Sequence, residues 1–96
     1  MQRLQLEDVK TGERSQLDVT GAFIFAGLTP NTEFIRSVVP LNESGHIVTD
    51  LWMRTSIPGV FAAGDVRADS SRQLISAAGD GATAALAAVR YMRTGM

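Results

Sequence analysis

The feature that most limits the folds open to this chain is a helical pattern near its C-terminal end. From Gln73 to about Met92, small and apolar residues recur at steps of three and four positions. About 20 helical residues make a rod of roughly 30 Å, and Ser70 and Gln73 have the spacing of a capping box at its start. The residues expected to pack on the rest of the chain are Leu74, Ile75, Ala78, Ala82, Ala85, Leu86, Val89 and Met92.

The residues before this helix have the patterns of strands and turns. Apolar and polar residues alternate on both sides of a turn at residues 10–13, which predicts a β-hairpin. The apolar run 21–27 predicts a strand buried on both faces, as in a parallel sheet. Residues 46–49 and 60–63 are typical of two shorter strands, the second ending at Gly64 and Asp65. Strands packed on one long helix predict an α/β half-domain.

Two further local features separate these strands. The apolar segment at residues 34–39 predicts one or two helical turns that end at Pro40. Residues 42–45 have turn chemistry and lead into the predicted strand at 46–49.

Composition excludes several classes of function. The 96 residues contain no cysteine, so the chain itself offers no redox dithiol and no cysteine-ligated metal. A formal charge of −1 with scattered basic residues argues against a nucleic-acid partner. The longest apolar runs are too short to span a membrane, and we expect a cytoplasmic chain. Area scaling predicts that roughly 64% of the extended chain's surface is buried on folding.

Four motifs resemble segments of the thioredoxin reductase family, in the family's order. Residues 55–66, T-S-I-P-G-V-F-A-A-G-D-V, with the following Arg72-Gln73 and the A-A-G-D-G of residues 77–81, resemble its second FAD motif. Residues 27–32, G-L-T-P-N-T, are similar to its G-x-x-P-N-T segment, and residues 45–50, G-H-I-V-T-D, to its G-x-I-x-T/V-D segment. The resemblance covers almost the whole chain and corresponds to about the last third of such a flavoenzyme.

The resemblance implies a partial FAD/NAD(P)-binding Rossmann-like domain. Residues 1–27 would be the tail of the nicotinamide-binding domain, and residues 28–96 the C-terminal half of the FAD-binding domain. The parent enzyme would pass electrons from NADPH through FAD to a disulfide of a thioredoxin-like partner. The family's N-terminal G-x-G-x-x-G, its NADPH loop and its cysteine pair do not occur in these 96 residues. We therefore expect no catalytic residue here, an inactive isolated chain, and weak or absent FAD binding by it.

The resemblance also implies the residues that would hold FAD. Gly64 would allow close approach of the ligand, and Asp65 would accept hydrogen bonds from the ribityl hydroxyls. Arg72, Gln73 and Leu74 would face the flavin at the positive end of the helix. Without the resemblance, Gly64-Asp65 is typical of an ordinary turn and Arg72 of a solvated helix start.

Other candidate sites are weaker. Residues 79–84 match G-x-G-x-x-A but fall inside the predicted helix, so the glycines are expected to permit close helix packing rather than to bind phosphate. His46 could form a hydrolase triad only with its neighbours Ser44 and Asp50, and no G-x-S-x-G is present. We expect His46 to be a solvent-facing strand residue, and we predict no metal site.

A second hypothesis is a binding module without catalysis. If the other half of the flavoprotein is supplied separately, the surface that it would cover is left apolar. Self-association, such as a homodimer, or binding to an N-terminal flavoprotein half would follow. Trp52 and Met53 beside Arg54 could contribute to such a surface or belong to the core.

Overall fold

The computed structural model describes residues 1–96 and confirms the α/β class. Its regular elements are strands β1 (Arg3–Glu7) and β2 (Arg14–Asp18), two 3₁₀ helices (Glu33–Ile35 and Gly64–Val66) and helix α1 (Leu74–Thr94). The chain is elongated, with principal extents of 63 × 28 × 18 Å and a radius of gyration of 19.8 Å. A compact domain of this length has a radius of gyration of about 12.5 Å.

The N-terminal hairpin is confirmed. β1 and β2 pair in antiparallel register, with Leu4 opposite Leu17. The Asp8 carboxylate accepts the N–H of Lys10 at 2.8 Å, which stabilises the turn between the strands. The two strands contact each other and no other helix or strand, so the hairpin lies apart from the rest of the chain.

The predicted buried strand at residues 21–27 is wrong for this chain. No strand forms there, and the Phe23 and Phe25 side chains are each 90% exposed. Residues 21–31 take part in no hydrogen bond between backbone groups. A strand requires a neighbouring strand for its N–H and C=O groups, and residues 1–96 supply none.

The centre of the chain packs as a small core of turns rather than as a sheet. Val39, Ile47 and Ala62 are buried together, with partly buried apolar residues around them. The predicted strands at 46–49 and 60–63 are wrong. The first segment forms only isolated bridges at Ile47, and the second only one at Phe61. The 3₁₀ helix Glu33–Ile35 confirms the predicted helical turn before Pro40, and the turn at residues 42–45 also forms.

Helix α1 has nearly the predicted length but a different cap and a different packed face. Gln73 is the N-cap, and its N–H donates to the Ser76 hydroxyl at 3.3 Å, so Ser70 does not cap the helix. The expected face, from Leu74 to Met92, is largely exposed. The buried or half-buried positions are Ser76, Ala77, Asp80, Thr83, Ala84, Ala87, Ala88 and Tyr91. The most apolar side of α1 therefore has no partner within residues 1–96.

The chain exposes more surface than a compact domain. Its accessible area is 7801 Å², against about 5,350 Å² expected for a folded monomer of this mass. The expectation of roughly 64% burial is therefore wrong, and about 48% of the extended-chain area is removed from water. None of the helices combines the length and apolar character needed to cross a membrane.

Candidate functional site

A cavity of about 330 Å³ brings together residues from three separate motifs. Asp65 comes from the Gly-Asp turn, His46 from the G-H-I-V-T-D segment, and Arg72 from the residues just before α1. Residues 28–31, which belong to G-L-T-P-N-T, and Val66 complete the lining. Segments up to about 40 positions apart in sequence therefore meet at one place, where both polar and apolar groups are available to a ligand.

The Asp65 carboxylate is available at this cavity. The sequence predicts that Asp65 directly ends a strand, but it lies in the 3₁₀ helix Gly64–Val66. Its side chain is exposed, and no hydrogen bond or ion pair within the chain engages it. The preceding residue, Gly64, is buried and has a φ of 82°, a backbone conformation that favours glycine. This backbone conformation directs the chain into the turn that carries Asp65.

Arg72 is held in a strained conformation against His46. Its φ of 57° lies in the left-handed region, which is costly for a non-glycine residue. Its Nη2 atom lies 3.1 Å from Nε2 of His46. Since a guanidinium can only donate, this hydrogen bond requires His46 Nε2 as its acceptor. His46 is 7% exposed, so the expectation of a solvent-facing histidine is wrong.

The other predicted residues do not line the cavity. Gln73 and Leu74 form the start of α1, where the N–H groups of Leu74 and Ile75 have no acceptor inside the helix. The Leu74 side chain is exposed. The structure therefore places Asp65 and Arg72 on one cavity. Gly64 is the first residue of the turn that carries Asp65, and Gln73 and Leu74 follow Arg72 in sequence.

An ion pair between Arg67 and Asp80 lies beside this site and is not predicted by the sequence patterns. Arg67 Nε donates to Asp80 Oδ2 at 2.6 Å, and Arg67 Nη2 donates to Asp80 Oδ1 at 3.2 Å. The Gly64 N–H also donates to Asp80 Oδ2, at 3.0 Å. The Arg67 hydrogen bonds lower the pKa of Asp80 against the opposing effect of burial, with a further contribution from the Gly64 N–H. The same contact raises the pKa of Arg67 above its ordinary value.

The helical spacing of Asp80 is the signal that could have revealed this pair. Asp80 lies three positions after Ala77 and seven before Ala87, on the packed face of α1. An acid at such a position requires a cation or donors. The packing role predicted for Gly79 and Gly81 is wrong, since a Cβ at either position would meet no atom within 4 Å.

In the loop that contains Trp52, one of the two candidate contact residues is exposed and the other belongs to the core. Met53 is buried, whereas Trp52 is 41% exposed and lies under the guanidinium of Arg90, 4.5 Å from the ring centroid. Asp50 organises the loop by accepting the N–H groups of Trp52 and Arg54. Burial opposes ionisation of Asp50, but these donors and the Arg54 guanidinium outweigh it and lower its pKa.

Comparisons with known proteins agree with the motifs. The family model described as pyridine nucleotide-disulphide oxidoreductase matches residues 2–85. Thioredoxin reductase of Treponema pallidum (strain Nichols) is 51% identical over 89 residues, and the 34.2 kDa protein in the rubredoxin operon of Clostridium pasteurianum is 42% identical over 92 residues. The two alignments cover 93% and 96% of this chain, but only 29% and 30% of those two relatives.

The same relationship holds for solved structures. The crystal structure of thioredoxin reductase from Streptococcus pyogenes MGAS5005 matches 97% of this chain with a TM-score of 0.82 and 40% identity, and the match covers 30% of that protein. The thioredoxin reductase of T. acidophilum matches 97% of the chain with a TM-score of 0.73 and 41% identity, and the match covers 31% of that protein. The chain thus spans less than a third of these relatives and belongs to the pyridine nucleotide-disulphide oxidoreductase family.

Proposed function

We propose that this chain forms one side of the FAD site of a thioredoxin-reductase-like flavoprotein. The observation that carries the proposal is the cavity at which Asp65 and Arg72, from the second FAD motif, meet His46, from the G-H-I-V-T-D segment. In this proposal, residues 28–96 are the C-terminal half of the FAD-binding domain and residues 1–27 the tail of the nicotinamide-binding domain.

The donors and acceptors at the cavity suit the chemistry of FAD. The free Asp65 carboxylate can accept hydrogen bonds from hydroxyls of a sugar-alcohol chain. Arg72 and the unpaired N–H groups at the start of α1 can donate to an electron-rich carbonyl, and the positive helix end favours negative charge there. Gly64, Gln73 and Leu74 would support these contacts through the backbone. The residues present therefore fit one edge of a flavin site.

Bound FAD would supply the redox chemistry, carrying electrons from NADPH to the disulfide of a thioredoxin-like substrate. The chain's own residues would bind and orient the cofactor, and we assign none of them a catalytic role. Since these residues surround only one edge of the ligand, we propose that residues 1–96 alone bind FAD weakly or not at all and have no reductase activity.

A chimera tests the proposal directly. The 89 aligned residues of this chain would replace the matching segment of the Treponema pallidum thioredoxin reductase. We expect the chimera to purify with FAD and to reduce a disulfide with NADPH, and Asp65→Ala to lose FAD on dilution. Asp69→Ala, which changes a nearby acid outside the cavity, is the matched control. A chimera that never retains FAD, or equal retention by the two variants, would refute the assignment.

A second candidate function, association with another polypeptide, is supported by the exposed apolar surface. Phe23 and Phe25 stack at 6.3 Å between ring centroids yet face solvent, and the residues around them lack backbone partners. The area in excess of a compact monomer, roughly 2,400 Å², is what one partner contributes to a large permanent interface. Because the relatives have more than two thirds of their length outside the matched segment, the occupant that we propose is the N-terminal part of such a flavoprotein.

Sedimentation distinguishes the possible occupants. We expect a one-to-one complex between this chain and the thioredoxin reductase of T. pallidum shortened by its matched segment. Without that partner, the exposed apolar surface should cause self-association at micromolar concentration. Replacing Phe23 and Phe25 with serine should weaken both associations, whereas Val9→Ser, at a residue that is 96% exposed in the hairpin turn, should not. A sharp monomer that ignores the partner would contradict this candidate.

A further inference from the structure

We propose that Asp80 and Arg67 are positioning residues for the flavin site, which hold the Gly64–Val66 turn against α1 and so fix Asp65 relative to the start of that helix. Neither residue lines the cavity, and neither would touch the ligand. This inference rests on the proposed function, because it concerns how the same site is kept in shape.

The contact of Asp80 with Gly64 lies where α1 meets the rest of the fold. The 3₁₀ helix Gly64–Val66 is the only other regular element that α1 contacts. Asp80 is the polar connection between them, since its Oδ2 atom accepts the Gly64 N–H at 3.0 Å. The residue after Gly64 is Asp65, so the position of the Asp65 backbone depends directly on this contact.

The ion pair between Arg67 and Asp80 has a two-point geometry. Arg67 uses two nitrogens on the two carboxylate oxygens of Asp80, and its Nη1 also donates to the Ala68 carbonyl at 3.1 Å. A two-point contact of this kind fixes orientation as well as distance. Since Gly64 and Arg67 bracket Asp65, one carboxylate on α1 holds both sides of the turn that presents Asp65 to the cavity.

Gly64 itself contributes no side chain to the packing between the turn and α1. A Cβ placed at Gly64 would meet Ala77 at 3.5 Å, and beyond that only the Cα of the same residue at 4.0 Å. Alanine offers little surface to resist sliding of the turn along the helix. The directional hydrogen bonds that Gly64 and Arg67 donate to Asp80 therefore set the register between the turn and α1.

The experiment uses the chimera described above and measures the FAD dissociation constant and the unfolding midpoint of each variant. We expect Asp80→Ala and Arg67→Ala each to weaken FAD binding about tenfold, as loss of a charged hydrogen-bond network would. Asp80→Asn keeps an acceptor for Gly64 and should recover part of the affinity. Thr83→Ala, on the same helix with only a local hydrogen bond to the Gly79 carbonyl, should bind FAD as the parent does.

A double variant separates positioning from general stability. If Asp80 acts through Asp65, adding Asp80→Ala to Asp65→Ala should weaken FAD binding no further than Asp65→Ala does alone. A purely structural role would weaken binding in both backgrounds to the same extent, and that result would overturn the inference. Unchanged FAD affinity in Asp80→Ala would also overturn it.

Amide exchange in the 96-residue chain gives a test that needs no flavin. Asp80→Asn should leave the Gly64 amide partly protected, whereas Asp80→Ala should speed its exchange about tenfold. The Asp8 amide, which donates to the Glu13 carbonyl at 2.9 Å in the hairpin, should be unchanged. An unaltered Gly64 amide in Asp80→Ala would refute the positioning role. If the parent chimera fails to bind FAD while this exchange effect appears, the proposed function is refuted, but the positioning of the Gly64–Val66 turn by Asp80 is not.

Discussion

Arg72 gives a sharp test because its backbone and its side chain make opposite contributions to stability. Its φ of 57° costs a non-glycine residue about 1–2 kcal/mol, while the hydrogen bond to His46 contributes about 1 kcal/mol at a half-open site. Arg72→Ala keeps the strained backbone and loses the hydrogen bond. We therefore expect it to lower the free energy of unfolding by about 1 kcal/mol.

Arg72→Gly loses the same hydrogen bond but adopts this φ without steric cost. The gain is offset in part by the larger freedom of glycine in the unfolded chain, about 0.5–1 kcal/mol. The two effects together should make Arg72→Gly more stable than Arg72→Ala by about 0.5–1 kcal/mol and close to the parent.

Urea unfolding of the 96-residue chain, followed by the circular dichroism of α1, measures this difference. The comparison uses midpoints at equal m-values, because a changed m-value would indicate a different unfolded or native state. An Arg72→Ala variant as stable as Arg72→Gly would show that the backbone at residue 72 is not strained and would refute the reasoning.

Three further substitutions have expected outcomes. Asp80 has a pKa below its unfolded value of about 3.9, so its contribution to stability is complete above that pH and is lost as the pH falls through the folded pKa. Asp80→Asn should flatten this acid limb in urea unfolding followed between pH 5 and pH 2. Gly59→Ala should lower the free energy of unfolding by about 1–3 kcal/mol in urea, because φ is 83° and a Cβ would lie 3.1 Å from the Tyr91 ring. Gly79→Ala should raise the free energy of unfolding by about 1 kcal/mol of helix propensity, and the thermal midpoint with it, since its Cβ would meet nothing; a fall in the midpoint would show a partner on that face.

Local patterns predict those elements whose partners lie nearby in sequence. The hairpin closes on itself around Asp8, and the backbone hydrogen bonds of α1 join residues four positions apart within Leu74–Thr94. The motifs also predict that Asp65 and Arg72 share a site, and both line one cavity. These features depend on turn chemistry, helical spacing and motif order, which the sequence displays directly.

The errors share one physical cause, which is that an apolar pattern shows that a face is to be buried but not what buries it. The run around Phe23 has the composition of a central strand, yet no neighbouring strand exists for it in this chain. The helix face around Ala82 is apolar, while the chain's own residues pack on the opposite side around Asp80. Strand alternation predicts His46 in solvent, because it carries no information on a contact with Arg72 that joins positions 26 apart.

Because residues 21–31 make no backbone hydrogen bonds, none of these bonds fixes the orientation of the hairpin relative to the rest of the chain. Rotation about the φ and ψ angles of this stretch can swing β1 and β2 through wide arcs without breaking a hydrogen bond between backbone groups. A solution of the chain should therefore contain many hairpin directions around one constant body built on α1. Small-angle scattering would record a spread of molecular lengths, and a single favoured direction would have to be imposed by a contact from another polypeptide segment.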